Sequence, residues 1–146
     1  AGAYIKEYLK NYAGVDNYMK NVVLEAKEKG YVETFLGRRR YLPELKSSNF
    51  NMRAFGERVA RNMPIQGAAA DIIKIAMIRV SDRIEREKLS AKLILQVHDE
   101  LIVECPANEK ETVGIILKEE MERAAELKVP LRVDASFGNT WYDAKA

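Results

Sequence analysis

Cysteine and histidine are almost absent from this sequence of 146 residues, in which Cys105 and His98 are the sole examples of their types. A lone cysteine excludes an internal disulfide and a metal site built from several cysteines. A single histidine likewise excludes a site that needs several imidazole ligands. These two absences leave carboxylates, amides and basic side chains as the groups that could carry chemistry.

Long apolar runs are also lacking. No stretch approaches the roughly 20 apolar residues of a membrane span, and the N-terminal residues form a polar helical pattern that differs from a signal peptide. The sequence therefore predicts a soluble, cytoplasmic protein. Its hydrophobic fraction of 47% suffices for a core, and its length fits one domain or a piece of a larger protein.

Charge of one sign is not in large excess, because the whole chain carries a net charge of +2. The distribution is nevertheless uneven. Residues 36–62 contain seven arginines and lysines against two glutamates, so this segment carries +5 and the remainder carries −3. A basic zone on a nearly neutral protein predicts one face that meets a polyanion.

Hydrophobic periodicity predicts an α+β fold in which long helices pack against a small antiparallel sheet. Pro64 should break or kink the longest helix, because proline lacks an N–H and clashes with the preceding turn. The predicted elements are helices over 4–12, 15–29, 52–87 and 108–126; strands over 31–35, 91–97, 101–105 and 131–137; a turn with a returning edge over 37–43; and a polar loop over 44–51.

Three ionisable side chains interrupt the apolar stretch "LILQVHDELIVE" at 93–104. His98, Asp99 and Glu100 fall at the join of two predicted strands, whose Leu, Ile and Val residues should hold the turn rigidly. A carboxylate on a rigid turn suits a hard cation such as Mg²⁺, which binds through oxygen and commonly takes one or two protein carboxylates. The alternative is an ordinary polar turn.

A polar stripe on the long helix and a basic turn form the second candidate site. Arg58, Asn62 and Gln66 lie at i, i+4 and i+8, on one helical face. Arginine can pair with phosphate, and the two amides can donate to minor-groove acceptors that A·T and T·A pairs share. Arg38, Arg39 and Arg40 in "GRRRY" could contact phosphates as well. The alternatives are a solvated stripe and a solvated turn.

Three motifs in order resemble the C-terminal part of bacterial DNA polymerase I, a member of the family A DNA polymerases. They are "YVETFLGRRRYLP" at 31–43, "RNMPIQGAAADIIK" at 61–74 and "QVHDE" at 96–100, and the similarity continues to the closing "GNTWYDAK". The resemblance implies the end of the fingers subdomain with a basic hairpin over 1–60 and the C-terminal palm portion over 61–146.

The resemblance also implies roles for individual residues. Asp99 corresponds to the second metal-binding aspartate of the family, Glu100 is its neighbour in the site, and His98 lies near the primer terminus. Three helix residues match those that touch the minor groove and backbone of the new duplex, and the basic turn matches a hairpin near the template. The residues implied to contact DNA are Arg58, Asn62, Gln66, Arg38, Arg39 and Arg40.

Several parts of the family pattern are not found in this sequence. These are the "DYSQIE"-like strand with the first metal aspartate, the nucleotide-binding fingers helix and the thumb. The resemblance therefore implies a fragment of a template-directed polymerase that uses two Mg²⁺ ions, primer–template DNA and dNTP together with an upstream segment, and that is inactive alone. The alternative is a non-catalytic DNA-binding or subunit module of a split polymerase.

Overall fold

The computed structural model describes residues 2–145 and divides into two compact units, Ala1–Ala68 and Ala69–Ala146. Helices alternate with two separate antiparallel hairpins, so the predicted α+β class is confirmed. The elements are α1 (Gly2–Asn11), α2 (Ala13–Lys29), β1 (Tyr31–Glu33), β2 (Arg39–Tyr41), α3 (Phe50–Arg86), β3 (Lys92–Val97), β4 (Glu100–Glu104), α4 (Lys110–Glu122) and α5 (Trp141–Ala144).

The core of the first unit joins α2, the β1–β2 hairpin and the first part of α3. Helix α2 ends at Gly30, whose φ of 82° places it in the left-handed region that glycine adopts without a Cβ penalty. The chain then reverses, and β1 pairs with β2 in the register Val32↔Arg40. The buried residues of this core are Val23, Ala26, Val32, Leu42, Leu45 and Ala60.

The core of the second unit lies between the last part of α3, the β3–β4 hairpin and α4. Its buried residues are Val80, Ile84, Ala91, Val113 and Ile116. Arg83 ties α3 to α4, because its guanidinium contacts Glu119 at 2.6 Å and Glu120 at 3.0 Å. Hydrogen bonds with Glu87, Glu119 and Glu120 raise the pKa of Arg83, and the bond from Arg83 lowers the pKa of Glu119. This packing supports the hairpin that carries His98 and Asp99.

Helix α3 runs unbroken through Pro64 over 37 residues, so the helix is not broken there, and a kink at Pro64 stays a prediction. Proline removes one N–H from the hydrogen-bond ladder. Residues on both sides of that position pack into the two cores, at Ala60 and at Val80, and this packing supports the helix on either side of the lost bond. Arg58, Asn62 and Gln66 consequently share one continuous helix.

Other predicted elements differ from the structure in extent or type. Residues 131–137 pair with no strand in the described part of the chain, so the predicted strand there is wrong. Alternation of apolar residues specifies an extended chain, whereas a strand also requires a partner for its backbone groups. The predicted polar loop over 44–51 overlaps a 3₁₀ helix, Pro43–Lys46, that buries Leu45. No helix among residues 2–145 combines the length and apolar character needed to cross a membrane.

An ion pair between α2 and α3 should make the first unit sensitive to acid. Lys27 donates to Glu57 at 2.7 Å and, with Arg61, lowers the pKa of that carboxyl below its ordinary value. A carboxylate with a depressed folded-state pKa stabilises the fold above its unfolded pKa, and this contribution is lost as the pH falls through the folded value. Glu57→Gln should therefore cost about 0.5 kcal/mol at pH 7 and little below its folded pKa.

Urea unfolding followed by circular dichroism at neutral and acidic pH measures this difference. Lys27→Met supplies the matched control, because the cost of Glu57→Gln should shrink in that background. An equal cost at both pH values would show that the ion pair contributes nothing.

Candidate functional site

An open groove of about 690 Å³ lies in the first unit, between the β1–β2 hairpin and α3. All six residues predicted to contact DNA line it, together with an apolar floor that sequence reasoning missed. The lining residues are Arg38, Arg39, Arg40, Phe55, Arg58, Val59, Asn62, Met63, Gln66 and Gly67. The structure thus brings the basic turn and the polar helical stripe together, and their contact with DNA stays a prediction.

Close packing of Thr34 on Gly67 holds the hairpin beside α3. A Cβ on Gly67 would lie 2.8 Å from the Thr34 Cγ2 atom, a distance that real Cβ contacts essentially never show. Thr34 in turn organises the hairpin turn, because its backbone N–H donates to the Arg38 carbonyl and its Oγ1 accepts from the Arg38 N–H. Because Gly67 has no side chain, Thr34 can lie this close to α3 at the edge of the groove.

Gly67→Ala should destabilise the first unit and shift the basic turn away from α3. The added methyl overpacks a close contact, for which the usual cost is about 1–3 kcal/mol. Thermal unfolding measures the cost, and amide exchange at 34–40 detects the shift. Gly14→Ala is the control, because nothing lies within 4 Å of a Cβ at that helical position. If the two variants proved equally stable, the Thr34–Gly67 contact would not be what holds the hairpin.

The arginines of the groove differ in how far they are already paired. Arg39 lies 2.5 Å from Glu33 and over the Tyr31 ring, and the Glu33 hydrogen bond raises the pKa of Arg39. Arg40 is exposed and has no ion-pair partner among residues 2–145. Arg58 stacks on Phe55 with its guanidinium carbon 5.9 Å from the ring centroid. Arg40 and Arg58 therefore present charge that a polyanion can still neutralise.

The second set of predicted residues lies in the second unit, at the tip of the β3–β4 hairpin. Val97 pairs with Glu100, so His98 and Asp99 form a two-residue turn. His98 has a φ of 52°, in the left-handed region that is uncommon for residues other than glycine. The amide of Gln96 donates to the His98 carbonyl at 2.5 Å and supports this conformation. Strained backbone of this kind clusters at functional sites.

The two carboxylates at the tip have different surroundings. Asp99 is exposed and accepts no hydrogen bond or ion pair from the described residues. Glu100 is partly buried, and its Oε2 atom lies 3.1 Å from the Nζ atom of Lys145. The ion pair with Lys145 was not predicted, and no local signal in the sequence links two residues so far apart. Asp99 is therefore the more available ligand for a cation.

The tip could offer a hard divalent cation one carboxylate ligand, with the other ligands coming from elsewhere. Within residues 2–145, no group of three or more histidine, cysteine, aspartate or glutamate side chains is arranged to hold a metal ion. Mg²⁺ commonly binds through one or two protein carboxylates, with waters and substrate oxygens completing its shell. The carboxylate of Asp99, which has no partner in the part of the chain that the structure describes, meets that requirement, whereas Glu100 is already paired with Lys145.

The chain as a whole is similar to bacterial DNA polymerase I. The chain is 56% identical over 145 residues to DNA polymerase I of Bacillus caldotenax and 57% identical to that of Geobacillus stearothermophilus. Each alignment covers 99% of this chain and 16% or 17% of the relative, so the chain spans about a sixth of their length.

A solved structure of a bacterial polymerase is also similar to this chain. It is the polymerase domain of Pol1 from M. smegmatis in complex with DNA primer-template and dNTP, and it matches 99% of this chain with a TM-score of 0.96 and 44% identity. The alignment covers 26% of that chain. The model of the DNA polymerase family A matches residues 1–143. This chain therefore belongs to DNA polymerase family A.

Proposed function

We propose that this chain is a C-terminal segment of a template-directed DNA polymerase, which transfers a nucleotide from a dNTP to a primer 3′-hydroxyl. The observation that carries the proposal is the groove, in which six residues chosen from sequence meet on one surface. The M. smegmatis polymerase domain, which this chain resembles over 99% of its length, binds DNA primer-template and dNTP.

The groove would hold the duplex through two kinds of contact. Arg40 and Arg58 would neutralise phosphates, which positions the duplex without selecting a sequence. Asn62 and Gln66 would donate amide hydrogen bonds to the purine N3 and pyrimidine O2 acceptors of the minor groove. Because correct pairs present these acceptors at equivalent positions, the amides would sense pair geometry. Phe55 also lines the groove, and its ring lies 5.9 Å from the guanidinium carbon of Arg58.

The hairpin tip would contribute one ligand of the catalytic centre. Asp99 would bind Mg²⁺, which when bound lowers the pKa of the primer hydroxyl and stabilises the leaving pyrophosphate. The turn holds Asp99 at a defined place on a paired hairpin, and His98 would lie beside the primer terminus. A second aspartate and the residues that grip the triphosphate would come from the upstream segment, so the isolated chain should not extend a primer.

Primer extension with the separately produced upstream segment tests this proposal. The chain alone, the upstream segment alone and their mixture are compared on the same primed template with Mg²⁺. Extension confined to the mixture supports the polymerase proposal. DNA binding by the chain without extension in the mixture supports the alternative, a non-catalytic binding module, which the well-formed groove of the first unit favours. Robust extension by the chain alone contradicts the predicted inactivity.

A further inference from the structure

The end of the chain contacts the hairpin tip through Lys145. Its Nζ atom lies 3.1 Å from Glu100 Oε2, an oxygen that is enclosed and accepts no hydrogen bond from the described residues. The contact is thus an ion pair without hydrogen-bond geometry. A carboxylate oxygen withdrawn from water is costly unless a partner compensates for it. The ammonium of Lys145 supplies that compensation.

Lys145 is itself held in place by its neighbours. Its ammonium lies 4.9 Å from the centroid of the Trp141 ring, within the range of a cation–π interaction. Thr140 and Asp143 form a reciprocal capping box at the start of α5. The hydroxyl of Ser136 donates to the carbonyl of Ala144 at 2.5 Å. These contacts keep the segment 136–145 folded against itself and direct its last described side chain.

We propose that segment 136–145 is a C-terminal latch, in which Lys145 is a positioning residue for Glu100. Glu100 follows Asp99 directly and pairs with Val97 across the hairpin, so restraint of its side chain restrains the turn. The ion pair also occupies the second carboxylate of the tip. A divalent cation would then bind to the carboxylate of Asp99 and not to that of Glu100. This inference rests on the proposed polymerase function of Asp99.

Trp141 provides a direct measurement of the latch, because it is the single tryptophan of the sequence. Lys145→Met removes the ammonium and keeps most of the side chain. It should increase the quenching of Trp141 fluorescence by acrylamide and speed amide exchange at Asp99 and Glu100. Lys145→Arg keeps the charge and should restore both values. Lys128→Met removes an exposed lysine from the same unit and should change neither.

Primer extension by the mixture with the upstream segment supplies the functional arm. Loss of a group that orients a metal-site residue typically costs about 10-fold to 100-fold in activity. Lys145→Met should therefore slow extension by at least about tenfold, with Lys145→Arg retaining most of the rate. If Lys145 acts through Glu100, adding Lys145→Met to Glu100→Gln should change the rate by less than about twofold.

The two arms separate failure of the latch from failure of the proposed function. If Asp99→Ala abolishes extension while Lys145→Met leaves the rate and the Trp141 quenching unchanged, the latch is overturned and the polymerase proposal stands. If the unaltered mixture never extends a primer, the polymerase proposal is contradicted, and fluorescence and amide exchange decide whether Lys145 restrains the tip. A rate loss that Lys145→Arg fails to rescue also overturns the positioning role.

Discussion

Primer extension by the mixture of this chain with an upstream polymerase segment is expected to fall about a thousandfold when Asp99 is replaced by alanine. A metal ion in such a site contributes several kcal/mol of transition-state stabilisation, and each 1.36 kcal/mol corresponds to about tenfold in rate. Asp99 is the carboxylate at the tip that no described residue engages, so its loss removes the ligand that this chain offers. Single-turnover extension on a primed template, at saturating dNTP, measures the effect.

Asp82→Ala is the matched control for this experiment, since it removes an exposed aspartate from α3 in the same unit. It should leave the rate unchanged. DNA affinity should also be nearly the same in the Asp99→Ala mixture, because the groove residues lie in the other unit. Extension that survives Asp99→Ala at the original rate would remove the hairpin tip from the proposed catalytic centre, whatever the DNA affinity.

DNA binding by the chain is expected to weaken strongly when Arg40 and Arg58 are both changed to glutamine. Hydrogen bonds to charged groups contribute about 1.5–3 kcal/mol each, so each lost phosphate contact should reduce the affinity roughly tenfold to a hundredfold. The salt dependence provides a second signature. For duplex DNA, the slope of log K against log salt should fall by about 0.9 for each phosphate contact removed. Fluorescence anisotropy over a series of salt concentrations gives both quantities.

Arg86→Gln is the control for the loss of one positive charge, because Arg86 is exposed at the end of α3 and lies outside the groove. It should alter the affinity slightly through net charge and leave the slope nearly unchanged. Arg39→Gln should have a smaller effect than Arg40→Gln, because Glu33 already neutralises Arg39. If Arg86→Gln weakened binding as much as the double variant, diffuse attraction by the whole chain would replace the groove as the explanation.

Local patterns in the sequence predicted much of the candidate site. The i, i+4, i+8 spacing of Arg58, Asn62 and Gln66 places their side chains on one face of any continuous helix, and α3 is such a helix. The two apolar runs around His98 and Asp99 predicted a hairpin, because residues with high strand propensity on both sides of a short polar turn pair readily. These features depend on residues close together in the chain.

Other features lay beyond local patterns. The effect of Pro64 on α3 could not be judged from propensity, since packing of residues on both sides of it supports the helix. The apolar floor formed by Phe55, Val59 and Met63 has helical spacing that the sequence displays, yet its proximity to the basic turn has no local signal. The alternation over 131–137 predicted a strand, but pairing requires a partner at the right distance.

The sequence by itself determined which residues are candidates for the proposed chemistry: an arginine-rich turn, a polar helical stripe and a carboxylate at a hairpin tip. Each follows from side-chain type and from spacing within one element. The tertiary structure alone decided that the turn faces the stripe, because Gly67 admits Thr34 against α3. It also decided that Glu100 is paired, because Lys145 lies against the tip, whereas Asp99 has no partner among residues 2–145. Contacts between residues far apart in the chain depend on how elements pack. The periodicity of a single element does not indicate which other elements will pack against it.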